Sequence, residues 1–149
     1  MSTLSAAKTI LEADATLLAT ATGGIWDFDE TKRLGLSRTT TPTAFDSDLI
    51  IQPCVLLKLR SSTPDFILAD DENQYVSAQE MLEAWFYESD GYANIETMRD
   101  RVYVLLHTVQ LTGTFQVLWA GNFRPGIRDD DLDANVERSG YQVFLPKSA

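Results

Sequence analysis

The stretch that decides the fold runs from Ser77 to Val109. It reads Ser77-Ala78-Gln79-Glu80-Met81-Leu82-Glu83-Ala84-Trp85-Phe86-Tyr87-Glu88-Ser89-Asp90-Gly91-Tyr92 and continues through Ile95, Met98, Val102, Leu105, Leu106 and Val109. Its first half carries two signals. Gln79 to Ala84 has helical propensity, whereas Trp85-Phe86-Tyr87 prefers strand. Alternation puts Met81, Trp85 and Tyr87 on one side, with Ala78, Leu82, Ala84 and Phe86 on the other. That pattern suits a strand covered on both faces, and strand is the reading adopted. The polar Glu88-Ser89-Asp90-Gly91 turn then leads into a helix from Tyr92 to about Val109, with Tyr92, Ile95, Met98, Val102, Leu105, Leu106 and Val109 on one stripe. Glu96, Arg99, Asp100 and Arg101 fall mostly off that stripe.

Upstream, Ser2 or Ser5 can cap a first helix, because a hydroxyl there accepts an orphan amide of the first turn. Leu4, Ala7, Ile10 and Leu11 follow at helical spacing. Asp14 can restart the pattern as a second cap, and Gly23-Gly24 stops it. Thr3 to Thr20 therefore reads as one kinked helix or two short ones. Ile25 to Phe28 is a short strand. Asp29 to Gln52 is a long polar stretch with Gly35, Pro42 and the run Thr39-Thr40-Thr41. Such a length without periodicity is unusual in a compact domain and points to a functional loop or an arm. Lys32, Arg33, Arg38 and Phe45 are its candidate contacts with a neighbouring subunit.

Pro53 opens a second strand, Cys54 to Arg60, and Phe66 to Leu68 is a third, bounded by Pro64 and by Asp70-Asp71-Glu72. Beyond the long helix, Thr114 to Ala120 and Glu137 to Leu145 alternate as strands. Gly121 to Asp133 reads as a loop holding Pro125, Gly126 and the run Asp129-Asp130-Asp131. Strands in runs with few helices give α+β: a mixed, mainly antiparallel sheet packed with an N-terminal helix and one long helix at about 92–110.

The chain has 149 residues, which reads as a single domain over 1–149. A net charge of −10 repels phosphates, so no specific nucleic-acid binding is expected. Cys54 is the only cysteine, which excludes an intrachain disulfide and a thiolate zinc site. No basic region followed by an apolar block opens the chain, so no secretory signal is expected. No apolar segment approaches the ~18 residues of a spanning helix, so no membrane role is expected either.

Nothing in the sequence assembles a reaction centre. His107 is the only histidine and reads as structural, near a helix end. The sequence shows no Gly-x-Ser-x-Gly turn, no His-x-x-x-His pair and no phosphate-cradling glycine loop. Asp129-Asp130-Asp131 offers oxygen ligands for a hard cation but lacks the glycine and distal glutamate of a calcium loop, so a solvated loop is the better reading. No metal and no cofactor are expected. Trp26, Trp85 and Trp119 lie in strands and read most simply as core, although aromatic anchors also mark interfaces.

Taken in order, these segments resemble the tail-terminator, or tail-completion, proteins of long-tailed bacteriophages. The resemblance is carried by the N-terminal helix leading through Leu11-Glu12-Ala13-Asp14 into Gly23-Gly24-Ile25-Trp26-Asp27, and by the proline-led strand Pro53-Cys54-Val55-Leu56-Leu57-Lys58-Leu59. It continues with the strand ending Trp85-Phe86-Tyr87, which passes through Asp90-Gly91-Tyr92 into the helix ending Leu105-Leu106-His107. A final pair of strands brackets an Arg/Asp-rich loop. The Asp29–Gln52 insert goes beyond that pattern. The resemblance implies a small non-enzymatic virion protein that forms a ring, usually of six subunits. The ring ends the tail tube and joins the tail to the head connector, with genomic DNA passing through it. It implies homo-oligomer, tube-protein and connector partners, and a place in the tail or neck of the virion after assembly in the host cytoplasm. Asp129, Asp130 and Asp131, or Asp70, Asp71 and Glu72, are candidates to face the lumen. A head-completion or neck-adaptor ring is the alternative within the virion. A small metal-dependent hydrolase and an acidic inhibitor of a host protein are the alternatives outside it.

Overall fold

The computed structural model describes residues 2–69, 74–124, 126 and 128–148. In chain order the elements are α1 (Thr3–Glu12), α2 (Ala15–Thr20), β1 (Ile25–Asp27), a 3₁₀ turn at Pro42–Ala44, β2 (Cys54–Ala69), β3 (Gln74–Glu88), α3 (Ala93–Leu106), β4 (Val117–Phe123), β5 (Arg128–Asp129) and β6 (Ala134–Ser148). The fold is α+β. Among the described residues the sheet has the order β1-β2-β3-β6-β4, with β5 also paired to β6. β1 lies parallel to β2, and the other pairings are antiparallel.

The helical start resolves into two short helices, each with its own cap. The Ser2 hydroxyl accepts the Ser5 amide at 3.2 Å. The Asp14 carboxylate accepts the Leu17 amide at 2.7 Å. Asp14 also takes two hydrogen bonds from Arg101 of α3, at 2.9 and 2.7 Å, which ties the corner between α1 and α2 to the long helix. Those bonds hold the Asp14 carboxyl below its ordinary value. The turn after α2 needs glycine for space: a Cβ on Gly23 would lie 2.8 Å from the Gln52 carbonyl oxygen.

The Ser77–Tyr87 stretch is the middle of β3, flanked by β2 and β6. β3 is thus paired on both edges, but only its helix side is fully covered: Met81 and Trp85 on the other face are half-buried, so the expectation of cover on both faces holds in part. Leu82, Ala84 and Phe86 join Val55, Leu57, Tyr141 and Val143 under the three helices, where Leu11, Leu17, Ile95, Met98, Val102 and Leu106 complete the main core. Each of these large side chains contributes roughly 1.5–3 kcal/mol by leaving water. The turn after β3 has a cap that spacing did not disclose. The buried Glu88 carboxylate accepts the amides of Asn94 and Ile95 at 3.0 and 3.2 Å, and the Asn94 side chain at 2.8 Å. A carboxylate there satisfies orphan donors and complements the helix dipole.

Several sequence boundaries move. The two strands expected at Cys54–Arg60 and Phe66–Leu68 are one. Pro64 marks a register shift within β2 rather than an end. β1 pairs only with Val55–Leu57, so near Pro64 the missing amide removes no bond to β1, and proline is tolerated at such edges and bulges. α3 ends at Leu106, not Val109, because Thr108 donates to the Val117 carbonyl at 2.7 Å and Val117 donates to Val109 at 2.9 Å. The strand read at Thr114–Ala120 starts at Val117 and runs on to Phe123. β5 interrupts the loop read at Gly121–Asp133, and β6 extends beyond Glu137–Leu145 at both ends. Arg99, read as lying off the apolar stripe, is buried and paired with the buried Glu137 at 3.1 Å.

The other face of the sheet holds a second cluster: Cys54, Leu56, Tyr87, Ala134 and Val136, covered by Leu36, Ala44, Phe45, Ile51 and Leu132. The Asp29–Gln52 stretch thus acquires order against its own sheet. Phe45 bridges to Ile51. The Asp46 carboxylate accepts the amides of Asp48 and Ile50 at 2.8 and 3.0 Å, closing the intervening turn.

Candidate functional site

Between the second cluster and β4 the sheet face is open, and there cations and aromatic rings alternate. The Lys58 ammonium lies 5.1 Å from the Phe28 ring centre and 4.4 Å from that of Trp85. The Arg138 guanidinium lies 5.3 Å from Trp85 and 4.5 Å from Phe123. The register explains the row. Trp85 faces Arg138 across β3 and β6, and Arg138 faces Phe123 across β6 and β4. Glu83, buried on the same face, pairs with Arg138 at 3.0 Å. Burial holds the Lys58 ammonium below its ordinary value, against the pull of Glu83 and Asp129. Trp85, Tyr87, Phe123, Val136 and Arg138 line a recess of about 230 Å³ here. Trp and Arg beside an apolar recess is the composition of residues that carry binding energy between proteins. Trp85 and Trp26 are only partly buried, against the second cluster.

A second aromatic group lies on the other side of β4. Tyr103 stacks on His107 with ring centres 4.9 Å apart and meets Trp119 edge-on at 5.7 Å. Trp119, expected in the core, is 42% exposed, because β4 is a terminal strand of the sheet and α3 covers only part of it. His107 has a defined structural task. Its Nδ1 accepts the Trp119 amide at 3.0 Å. With Thr108 and Val109 bound to Val117, this satisfies outward-facing groups of β4 and blunts an exposed edge.

The predicted site residues separate into groups. Asp70, Asp71 and Glu72 lie outside the described residues. Asp130 and Asp131 are exposed on the turn between β5 and β6, whereas Asp129 is half-buried and accepts the Leu132 amide at 3.0 Å. In the long stretch, Arg38 donates to the Leu49 and Asp131 carbonyls, each at 3.0 Å, and covers the Phe45 ring at 5.0 Å. Arg38 and Phe45 thus make their contacts within the subunit. Lys32 and Arg33 are exposed on a turn, and neither has an ion-pair partner among the described residues.

Burial raises the Cys54 thiol well above its ordinary value, so it presents no thiolate nucleophile. Among the described residues no three His, Cys, Asp or Glu side chains converge as metal ligands, and no helix is long and apolar enough to cross a membrane. What the arrangement offers chemically is surface: exposed aromatic groups on both sides of a terminal strand, with cations and carboxylates around them.

No family model matches the chain, and no curated protein does. Among solved structures, a chain from "Virion of native gene transfer agent (GTA) particle" is similar, with a TM-score of 0.59. The two are 13% identical, and the match covers 98% of this chain and 96% of that one. At that identity the likeness is one of fold.

Proposed function

We propose that this protein is a structural component of a phage-like virion, and that it forms the ring that terminates the tail tube and joins it to the neck. The observation that carries this reading is the end-to-end likeness in fold to a virion chain. Charge and surface support it. One heterologous contact repeated around an axis closes a ring. A net charge of −10 keeps DNA from adhering to a passage it must slide through. In this reading the exposed Asp130 and Asp131 face the passage, and six subunits complete the collar. The protein performs no catalysis and works in the tail or neck after assembly in the host cytoplasm.

Electron microscopy of particles assembled without this protein tests the proposal. Overlong tails detached from heads are expected. Tails of normal length with heads that fail to join would move the protein to the neck. Normal virions would refute the reading.

A further inference from the structure

We propose that copies of this chain dock head to tail, with the Lys32-Arg33-Leu34 turn of one subunit seated in the groove between α3 and β4 of the next. This contact rests on the ring reading above and gives it an interface.

The turn is held in a defined shape and borders a recess of about 300 Å³ with Lys58, Tyr87 and Asp129 of its own chain. It follows β1 and is held by backbone bonds from Arg33 to Phe28 at 2.7 Å, Lys32 to Asp29 at 3.0 Å and Leu34 to Thr31 at 3.0 Å. Lys32 and Arg33 both take left-handed conformations, with φ of 54° and 63°, a region that side chains other than glycine enter rarely. Leu34 is 73% exposed. Leu34 thus follows two exposed cations that lack ion-pair partners among the described residues, although Arg33 shares its recess with Asp129 and Asp131.

The groove offers the complement. Its floor is the Tyr103–Trp119 pair, and Asp100 stands on its rim in a recess of about 310 Å³. The Asp100 side chain is 74% exposed. Arg99 is shared between Asp100 and Glu137, each at 3.1 Å, so this group keeps one net negative charge. Glu96, one helical turn earlier and also exposed, adds a second carboxylate on the same helix face. An apolar tip with two cations matches an aromatic floor with two carboxylates.

Position favours a second copy as the occupant. β1 and β4 are the two ends of the sheet order, four strand spacings of ~4.8 Å, or roughly 19 Å, apart. Within one chain the turn and the groove border separate recesses that share no residue. Between chains, the same contact repeats in one direction, as a closed ring requires. A two-fold contact of turn on turn would oppose four cations, which is repulsive.

The test uses the full chain in sedimentation over a concentration series, with circular dichroism confirming the fold of each variant. The substitutions K32E/R33E and D100K lie on exposed side chains. Each is expected to raise the concentration needed for assembly by roughly tenfold or more, and the combination K32E/R33E/D100K should recover part of that loss. Wild-type rings that persist unchanged in K32E/R33E would overturn this contact and leave the ring reading standing. A wild type that stays a single subunit up to millimolar concentration would overturn the contact as well, while the particle images decide the ring reading independently.

Discussion

The two faces of the sheet use the same strands for different ends. Under the helices, β3 presents Leu82, Ala84 and Phe86 to a fully buried apolar core. One residue along, the same strand presents Glu83, Trp85 and Tyr87 to a face covered in part by the Asp29–Gln52 segment and otherwise open. The first face holds the subunit together. The second holds cations against aromatic rings at a surface, an arrangement whose value rises when a partner removes the water. The contrast teaches that alternate residues of one strand serve a buried core and a partly open surface, and substitution separates the two.

The largest effect is expected on the helix-covered side. Phe86→Ala should cost about 3–5 kcal/mol, read as a lower midpoint in urea unfolding. A much smaller loss would mean that this face is not the one carrying stability. Next comes the buried ion pair beneath α3. Glu137→Ala leaves Arg99 with Asp100 alone and should cost about 3 kcal/mol. The double change Arg99→Met with Glu137→Leu should recover most of it. On the open face, Lys58→Ala removes two cation–ring contacts and should cost only about 1 kcal/mol in thermal unfolding. A loss as large as that for Phe86→Ala would erase the distinction between the faces. At the Lys32–Leu34 turn the sign reverses. Arg33→Gly relieves a left-handed backbone and should raise stability by about 0.5 kcal/mol, while weakening assembly by removing a cation.

The smallest effect is one of pH. Asp14 titrates below its ordinary value because Arg101 donates to its carboxylate. Its contribution is therefore fully present above the ordinary carboxylate range, near pH ~3.9, and is lost as pH falls through the lowered value. Asp14→Asn should flatten the acid limb of a stability–pH curve, and an unchanged limb would show that the pair contributes nothing there.

Much of the helix-covered face was legible in the sequence, because its signals are local and periodic. The Ser2 and Asp14 caps, the restart at Asp14 and the alternation around Trp85 each act within a few residues. What stayed hidden depends on distant partners. Glu88 reads as a turn residue until α3 folds back over it. Arg99 reads as solvated until Glu137 arrives from β6. His107 to Val109 continue the helical stripe in sequence but bond to β4 instead. The site was legible in composition rather than place. The basic character of the long stretch is evident in the sequence, but that the exposed Arg38 bonds to carbonyls of its own chain while Lys32 and Arg33 have no ion-pair partner among the described residues depends on how the stretch packs on the second cluster.

The central claim is that this subunit works as one member of a closed collar around a passage. A three-dimensional reconstruction of the assembled particle tests it most directly. The account predicts several copies of this chain in one ring at the end of the tail tube, with the Lys32–Leu34 turn of each against α3 of its neighbour. A particle in which the chain is absent, or present as one isolated copy, would contradict it.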